Sequence, residues 1–263
     1  VDAEVEDLNV FAFTPDGPRQ QTSESLARES HRPGRVDFNS SDALLFDLDG
    51  TLTDPAPGIV ASLEHALREM RAPLPSGSDL TRFIGPPLQD TFREILGTSD
   101  EEDVATAIGH YRARFSLVGL FENSVYQGIP DALSELAAAG YELRVATSKP
   151  HVFADRIIDH FKLRELIPRV YGSELSGERS DKGDLIGHVL AEESIESESA
   201  CMIGDRRHDV VGAQEHGVLS IGVLWGFGDV AEMEAAAPHR TVAQVGELVD
   251  VVRELTRNCY STG

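Results

Sequence analysis

The sequence predicts an α/β fold, with a Rossmann-like parallel-sheet core and an inserted α-helical cap domain. Downstream of residue 128, short apolar runs typical of buried strands alternate with stretches of helical periodicity. Between the first apolar run and residue 128, only helical periodicity occurs. We therefore expect a core of residues 41–53 and 128–258, a cap of residues 54–127, and a site at the carboxyl ends of the strands.

Strands and helices alternate along the predicted core. Apolar runs predict strands at residues 43–48, 142–146, 169–171, 200–203 and 219–223. Helical spacing predicts helices at residues 129–139, 152–161, 182–193 and 210–216, with a covering helix at 245–255. Within the insert, the same spacing predicts helices at residues 59–70, 88–96 and 104–115, separated by prolines. This order favours parallel strands with helices on both faces of the sheet.

Two aspartates, Asp47 and Asp49, follow the first apolar run and precede Gly50 and Thr51. Residues two apart on a strand point to the same side, so both carboxylates can converge on one small volume. They repel each other unless a cation lies between them, and Mg²⁺ suits such hard oxygen ligands. Gly50 allows a tight turn, and Thr51 offers a hydroxyl and an amide to an anion. An Asx turn or helix cap without chemistry is the alternative.

A second acidic group follows the apolar run at residues 200–203. A strand that ends at Gly204 can bring the carboxylate of Asp205 to a metal held by the first pair. Asp209 lies about one helical turn further along and is expected to bind through water or to orient its neighbours. Taken alone, this spacing favours a helix cap. Together with the first motif, it predicts a metal site.

Hydroxyl groups and a lysine are candidates for binding a phosphoryl group. The predicted strand at 142–146 leads into Thr147 and Ser148, whose hydroxyls can donate to phosphoryl oxygens. Lys182 lies at the start of a predicted helix, where a positive charge is unfavourable with the helix dipole. Of the three lysines in the chain, Lys149 and Lys182 both lie beside candidate sites. This placement favours a functional role for Lys182.

These groups resemble, in order, the four motifs of the haloacid dehalogenase superfamily of phosphohydrolases, within its phosphoglycolate phosphatase and 5'-nucleotidase-like branch. Residues 47–51 match the first motif D-x-D-G-T, and Thr147 matches the second-motif hydroxyl. Lys182 matches the third-motif lysine, and Asp205 and Asp209 match the acidic fourth motif. The resemblance extends from about residue 43 to the C-terminus. It implies a hydrolase that acts on phosphoric monoester bonds.

The resemblance also implies a role for each motif residue. Asp47 would attack phosphorus and form an aspartyl-phosphate, while Asp49 would protonate the leaving alcohol and then deprotonate water. Mg²⁺ would be held by Asp47, Asp205 and the backbone carbonyl of Asp49. The remaining residues would bind the phosphoryl oxygens: Gly50, Thr51, Thr147, Ser148 and Lys182.

The family inserts a helical cap after the first motif, which implies that residues 54–127 close over the site and contact the leaving group. Arg82 is the substrate contact that we predict in the cap, with Arg68 and Gln89 as further candidates. The alternative for each arginine is a solvated or salt-bridged surface side chain, which is the commoner situation on a helix.

Composition restricts the partners. The formal net charge of −22 argues against binding to nucleic acid or to anionic membranes. No apolar stretch resembles a membrane span or a signal peptide. The two cysteines, Cys201 and Cys259, do not predict a disulfide, which favours the reducing cytoplasm. Residues 1–40 are polar and acidic and are expected to form a disordered tail. The sequence leaves the oligomeric state open.

Three hypotheses for the function follow. The first is a Mg²⁺-dependent phosphatase of a small phosphomonoester, such as phosphoglycolate or a nucleoside monophosphate. The second is a phosphomutase of the β-phosphoglucomutase kind, which would use the same nucleophile but return the phosphoryl group to a sugar. The third, a non-catalytic phosphate-binding regulator, is disfavoured because a pure binder needs neither a nucleophile nor an acid–base pair.

Overall fold

The structure, a computed structural model, describes residues 42–74 and 80–258. The tail predicted at residues 1–40 and the second cysteine, Cys259, lie outside the described residues. Within the described ranges, no helix combines the length and the apolar character needed to cross a lipid bilayer.

A six-stranded parallel sheet forms the centre of the fold, with strand order β5-β4-β1-β6-β7-β8. The direction in which strands are added reverses beside β1, between β4 and β6, and this reversal opens a crevice at the carboxyl ends of the strands. The six strands have these bounds: β1 Ala43–Phe46, β4 Glu142–Pro150, β5 Arg169–Ser173, β6 Ala200–Gly204, β7 Leu219–Val223 and β8 Arg240–Val242.

Helices cover both faces of this sheet. Successive apolar residues of β1 point to opposite faces, so each face must be covered. Leu44 and Phe46 belong to a core shared with α4 (Ile129–Ala138), α5 (His151–His160) and α9 (Leu248–Asn258). Ala43 and Leu45 face the other side, where they pack against α6 (Lys182–Glu193) and α7 (Arg207–Glu215). Since β1 is buried on both faces, it reads as a continuous apolar run. The predicted α/β class with a parallel sheet is confirmed.

A helical insert lies between two short antiparallel strands, β2 (Thr53–Asp54) and β3 (Ser124–Val125). It contains α1 (Ala56–Glu69), α2 (Leu88–Leu96) and α3 (Glu101–Arg114), and α3 packs against the other two helices. A 3₁₀ turn, Leu80–Phe83, precedes α2, and a π turn, Phe115–Gly119, continues α3. The division of the chain into core and cap at residues 54 and 127 stays a prediction.

Several observed elements differ from the predicted ones. β4 continues to Pro150, because Pro150 pairs with Ser173 of β5 beyond an irregularity in the register. α3 begins three residues earlier than predicted, because the side chain of Asp100 accepts from two backbone amides and caps the helix. The sequence analysis did not predict β8 or α8 (Val230–Ala236). Both are short, and neither has the apolar run or the long periodicity on which the predictions depend.

Candidate active site

Three buried carboxylates meet at the carboxyl edge of the sheet. Asp47 directly follows β1 and Asp205 directly follows β6, and the two strands are paired at Phe46 and Ile203. Asp209 joins them from the first turn of α7. Each side chain offers one oxygen, and the three oxygens lie within 4.8 Å of one another. The parallel register therefore brings together residues that are more than 150 positions apart in the chain.

Gly50 and Thr51 shape this cluster from the turn after β1. Gly50 has a φ of 89°, and a Cβ atom there would lie 2.2 Å from a carboxylate oxygen of Asp205. Its amide donates to the carbonyl of Thr53 at 2.8 Å. The Thr51 hydroxyl donates to Oδ1 of Asp205 at 3.1 Å. The Thr51 amide donates to the carbonyl of Leu48 at 3.4 Å. The hydroxyl and amide of Thr51 are thus both used within the protein, and neither Gly50 nor Thr51 lines the cavity described below.

The electrostatics of the cluster favour a cation. Burial, together with repulsion from Asp209 and Asp47, raises the pKa of Asp205 to about 8. A hydrogen bond of 2.8 Å from the amide of Phe227 to the Asp205 carboxylate acts in the opposite direction and lowers the pKa. Burial also raises the pKa of Asp209 to about 6, although the charge of Lys182 opposes the shift. Holding three ionised carboxylates close together costs free energy unless positive charge compensates their repulsion. Hard carboxylate oxygens at this separation fit a divalent cation such as Mg²⁺.

Lys182 supplies part of that positive charge. Its Nζ lies 3.1 Å from Oδ1 of Asp47 and 2.8 Å from Oδ1 of Asp209, and it donates to the carbonyl of Ala146 at 2.9 Å. Burial alone would lower the pKa of Lys182, but the charges of Asp209 and Asp47 outweigh burial and raise it. The Asp181 side chain caps the helix by accepting from two backbone amides, which offsets the unfavourable position of the lysine.

Asp49 lies apart from the three-carboxylate cluster, and its side chain has a different partner. Oδ2 of Asp49 accepts a hydrogen bond from Nζ of Lys149, which also lies 4.9 Å from the centre of the Phe115 ring. Burial raises the pKa of Asp49, and the charge and hydrogen bond of Lys149 oppose this. Lys149 was predicted to lie beside the site, without a role of its own. Lysine is rare in this chain, which has three, and this rarity was the available signal for a role.

Thr147 and Ser148 lie in β4, next to β1, and line the same cavity as Asp47 and Lys182. Thr147 is buried, and its Oγ1 accepts from the amide of Lys149 at 3.3 Å. This oxygen can therefore donate its own proton to a ligand. The structure brings the two predicted hydroxyl residues to one wall with the candidate nucleophile, while their roles stay predictions.

The cavity has a volume of about 130 Å³ and is bounded by the sheet edge on one side and by the helical insert on the other. The insert contributes a mostly aromatic and apolar wall. Tyr111 and Phe115 lie one helical turn apart with their rings stacked at 5.3 Å, and Phe115 meets Phe153 of α5 edge to face. The other residues that the insert contributes include Ile59, Phe83, Gln89 and Arg112.

Arg82, the predicted substrate contact of the cap, lies away from the cavity. Arg82 is exposed, forms an ion pair with Glu94 at 2.9 Å and does not line the cavity. It lies on the outer side of its 3₁₀ turn, while the neighbouring Phe83 points inward. Arg68 is also exposed and outside the cavity, whereas Gln89 lines it. Arg112 also lines the cavity but was not among the predicted site residues. Its position beside Tyr111, on a helix with buried aromatic residues, was the available signal for a place at the site.

Comparisons with known proteins agree with this geometry. A family model for haloacid dehalogenase-like hydrolases matches residues 44–223. A 5'-nucleotidase from Pseudomonas aeruginosa is 46% identical over 209 residues, which cover 80% of this chain and 94% of that protein. Tyrosine-protein kinase PtkA from Mycobacterium tuberculosis is 40% identical over 228 residues, which cover 86% of this chain and 75% of that protein.

A solved structure described as a predicted phosphatase from Clostridium acetobutylicum is also similar, with a TM-score of 0.77 and 43% identity. The similarity covers 81% of this chain and 98% of that one. The family match spans more than half of the chain and includes every motif residue from Asp47 to Asp209. The resemblance inferred from the motifs is confirmed: this chain belongs to the haloacid dehalogenase-like hydrolase family.

Proposed function

We propose that this hydrolase is a Mg²⁺-dependent phosphatase that releases phosphate from a nucleoside 5'-monophosphate through an aspartyl-phosphate on Asp47. The observation that carries the proposal is the position of Asp47. Its carboxylate lies at the wall of a cavity, within reach of the Lys182 ammonium and of two further carboxylates. A nucleophile, a cation and a binding space are thereby combined in one place.

In the first step, an Asp47 carboxylate oxygen attacks phosphorus, and the bond from phosphorus to the leaving oxygen breaks. Asp49 gives its proton to that oxygen. Lys182, Thr147 and Ser148 bind the phosphoryl oxygens. Water then attacks the phosphorus of the aspartyl-phosphate, Asp49 takes up a proton from the water, and phosphate leaves with Asp47 restored.

Mg²⁺ would be bound by Asp47, Asp205 and the carbonyl of Asp49, with the Asp209 carboxylate also within reach of the cluster. When bound, it supplies positive charge that offsets the repulsion between these carboxylates and the phosphoryl group. Burial, with repulsion from Asp209 and Asp47, raises the pKa of Asp205, and a bound cation would oppose this shift by favouring the ionised carboxylate.

A nucleoside is the leaving group that the cavity favours. Stacked aromatic rings and apolar side chains form the insert's wall, and a planar base can pack against them. Glycolate is too small to cover that wall. The 5'-nucleotidase among the relatives supports the same choice. In this proposal, the insert at residues 54–127 acts as a cap that excludes water from the site.

The test is phosphate release from nucleoside monophosphates, phosphoglycolate and sugar phosphates, with Mg²⁺ and with EDTA. We expect Mg²⁺-dependent release that is fastest with a nucleotide, and loss of release in Asp47→Asn once deamidation is excluded. Unchanged release in EDTA would contradict the metal assignment, and a preference for phosphoglycolate would contradict the substrate.

The same experiment separates the other hypotheses. Conversion of a sugar 1-phosphate to its 6-phosphate without net phosphate release would indicate a phosphomutase. The relative named as a kinase is a further reason to include acceptors other than water. If the folded protein binds inorganic phosphate but turns over none of these compounds, a phosphate-binding regulator is indicated.

A further inference from the structure

Arg112 differs from the other cations that line the cavity. Lys149 contacts Asp49, Lys182 contacts Asp47 and Asp209, and Arg206 contacts Glu232. Within residues 42–74 and 80–258, Arg112 has no carboxylate partner. This is notable in a chain with 45 acidic residues and 23 lysines and arginines. A partly buried guanidinium without a counter-charge has free capacity to bind a ligand.

The Arg112 side chain is held in place but is not saturated. One Nη2 donor is used by the carbonyl of Leu175, at 3.0 Å, in the loop after β5. Nε is buried and has no hydrogen-bond partner among the described residues. Nε is too buried to reach a ligand, so the donors left for one are those of Nη1 and the second donor of Nη2, none of which bonds to another described residue. These donors form the end of the guanidinium fork.

The surroundings of Arg112 favour a planar, uncharged ligand over a second anion. Arg112 lies on α3 beside Tyr111, whose ring stacks on Phe115, and the carboxamide of Gln89 lines the same cavity. The groups expected to bind the phosphoryl oxygens, Thr147 and Lys182, come from the sheet edge. Arg112 and Gln89 come from the insert, on the opposite wall, where the leaving group would lie.

We propose that Arg112, together with Gln89, determines specificity by binding the paired acceptor atoms of a 6-oxopurine base. A guanidinium fork matches the adjacent O6 and N7 acceptors of guanine or hypoxanthine. Adenine presents an amino donor in place of O6, so the same fork cannot bind it with two hydrogen bonds. This inference rests on the proposed nucleotidase function and specifies its substrate class.

The test compares Arg112→Met with the wild type on inosine, guanosine and adenosine 5'-monophosphates and on phenyl phosphate. We expect kcat/KM for the two 6-oxopurine nucleotides to fall roughly 10- to 100-fold, as for loss of one bidentate arginine contact to a base. Values for adenosine 5'-monophosphate and phenyl phosphate should change less than about threefold, within the range of a surface substitution. Arg112→Lys should keep the charge but lose the preference for 6-oxopurines.

Arg93→Met is the matched control, because Arg93 is another arginine of the insert but pairs with Asp90 and Glu101 outside the cavity. It should leave all four substrates unaffected. An equal loss on all four substrates in Arg112→Met would show a structural or phosphate-binding role and would overturn the inference. A preference for 6-oxopurines that is unchanged in Arg112→Met would also overturn the inference.

Direct binding keeps this inference separate from the proposed function. Inosine 5'-monophosphate binding to the Asp47→Asn variant, measured by calorimetry, should weaken on adding Arg112→Met, whereas adenosine 5'-monophosphate binding should not. If the wild type hydrolyses none of the nucleotides but this difference in binding is found, the proposed reaction fails and the base-binding role stands. If inosine and adenosine 5'-monophosphates bind equally to Asp47→Asn with and without Arg112→Met, the role that we assign to Arg112 is contradicted.

Discussion

Lys182 illustrates how one residue can be predicted from its type and position alone. A lysine at a helix start is electrostatically unfavourable, so its presence at residue 182 needed an explanation. The structure supplies one, because the ammonium contacts two buried carboxylates and a strand-end carbonyl. The charges of Asp209 and Asp47 outweigh the effect of burial and hold the ammonium protonated beside the candidate nucleophile.

Lys149 could not be given a role from sequence, because its partner is 100 positions away and its orientation depends on the extension of β4. Arg112 was missed for a similar reason. Its place at the cavity depends on how α3 packs against the rest of the insert, which residue spacing does not encode. The motif residues could be predicted because each lies within a few residues of the end of an apolar run or of the start of a helix.

We predict that Lys149→Met slows the second half of the reaction. Without the lysine, the effect of burial on Asp49 is opposed less, and the pKa of Asp49 rises further. More of Asp49 is then protonated, and a protonated carboxyl cannot take up the proton of water. Turnover should fall by roughly 10²-fold or more. The phosphorylated form of the protein should accumulate, which intact-mass spectrometry after rapid acid quenching would detect.

Lys149→Arg is the control for this prediction, since it keeps a positive charge beside Asp49. It should retain more activity than Lys149→Met and should accumulate less of the phosphorylated form. Wild-type turnover in Lys149→Met would contradict the role that we assign to this contact.

At the scale of elements, the sequence was most informative where an element is long and buried. α6 has the predicted bounds because its apolar pattern begins at the helix cap formed by Asp181. β7 has the predicted bounds because its apolar pattern coincides with a strand in which four of the five residues are buried. β8 escaped prediction because two of its three residues are exposed and its position depends on pairing with β7. The pair β2 and β3 has only two residues in each strand, and it is formed by segments about 70 positions apart.

An ion-pair network centred on the buried side chains of Glu193 and Arg144 joins β4, β5 and α6 near the amino ends of the two strands. Glu193 of α6 accepts hydrogen bonds from Arg144 and Tyr171 and forms an ion pair with Arg169 at 2.6 Å. Burial would raise the pKa of Glu193, but the hydrogen bonds from Arg144, Arg169 and Tyr171 outweigh it and lower the pKa to about 2. The network therefore stabilises the contact of these elements only while Glu193 is ionised.

We predict that Glu193→Gln lowers the free energy of unfolding by roughly 2–4 kcal/mol at neutral pH, the amount that corresponds to the lowered pKa of Glu193, while Arg144 keeps its ion pair with Glu142. The ordinary pKa of glutamate is near 4.5 and the folded pKa is about 2. The stabilisation is thus complete above pH 4.5 and is lost as pH falls toward 2. Urea unfolding of both proteins between pH 7 and pH 3 should show the difference shrinking.

The neighbouring substitution Glu192→Gln provides the comparison. Glu192 is exposed and, among the residues that the structure describes, pairs with His188 alone, so its replacement should change stability by less than about 0.5 kcal/mol. A difference between Glu193→Gln and wild type that stays constant from pH 7 to pH 3 would argue against an ionised Glu193.

For the whole molecule, a metal bound at the carboxylate cluster would make folding and metal binding interdependent. The folded state holds Asp47, Asp205 and Asp209 together, whereas the unfolded chain separates them. We therefore predict that Mg²⁺ raises the free energy of unfolding, by about 2.7 kcal/mol when free Mg²⁺ is about 100 times its Kd. Urea unfolding with Mg²⁺ and with EDTA measures this difference.

The Asp205→Asn variant should lose most of that Mg²⁺ effect, while Asp131→Asn, on the exposed side of α4, should keep it. An equal response to Mg²⁺ in wild type and Asp205→Asn would place the stabilising metal elsewhere. Because this readout needs no substrate, it tests the metal site independently of the reaction.

The pairing of β2 with β3 has a consequence for how relatives of this chain can diverge. Thr53 pairs with Val125 and Asp54 with Ser124, so the chain leaves the sheet region and returns to it at neighbouring points. A segment whose two ends are neighbours can be lengthened, shortened or exchanged without changing the distance that its flanks must span. Evolution can therefore exchange this insert while it retains the aspartates at the sheet edge, and the same exchange is open to protein engineering.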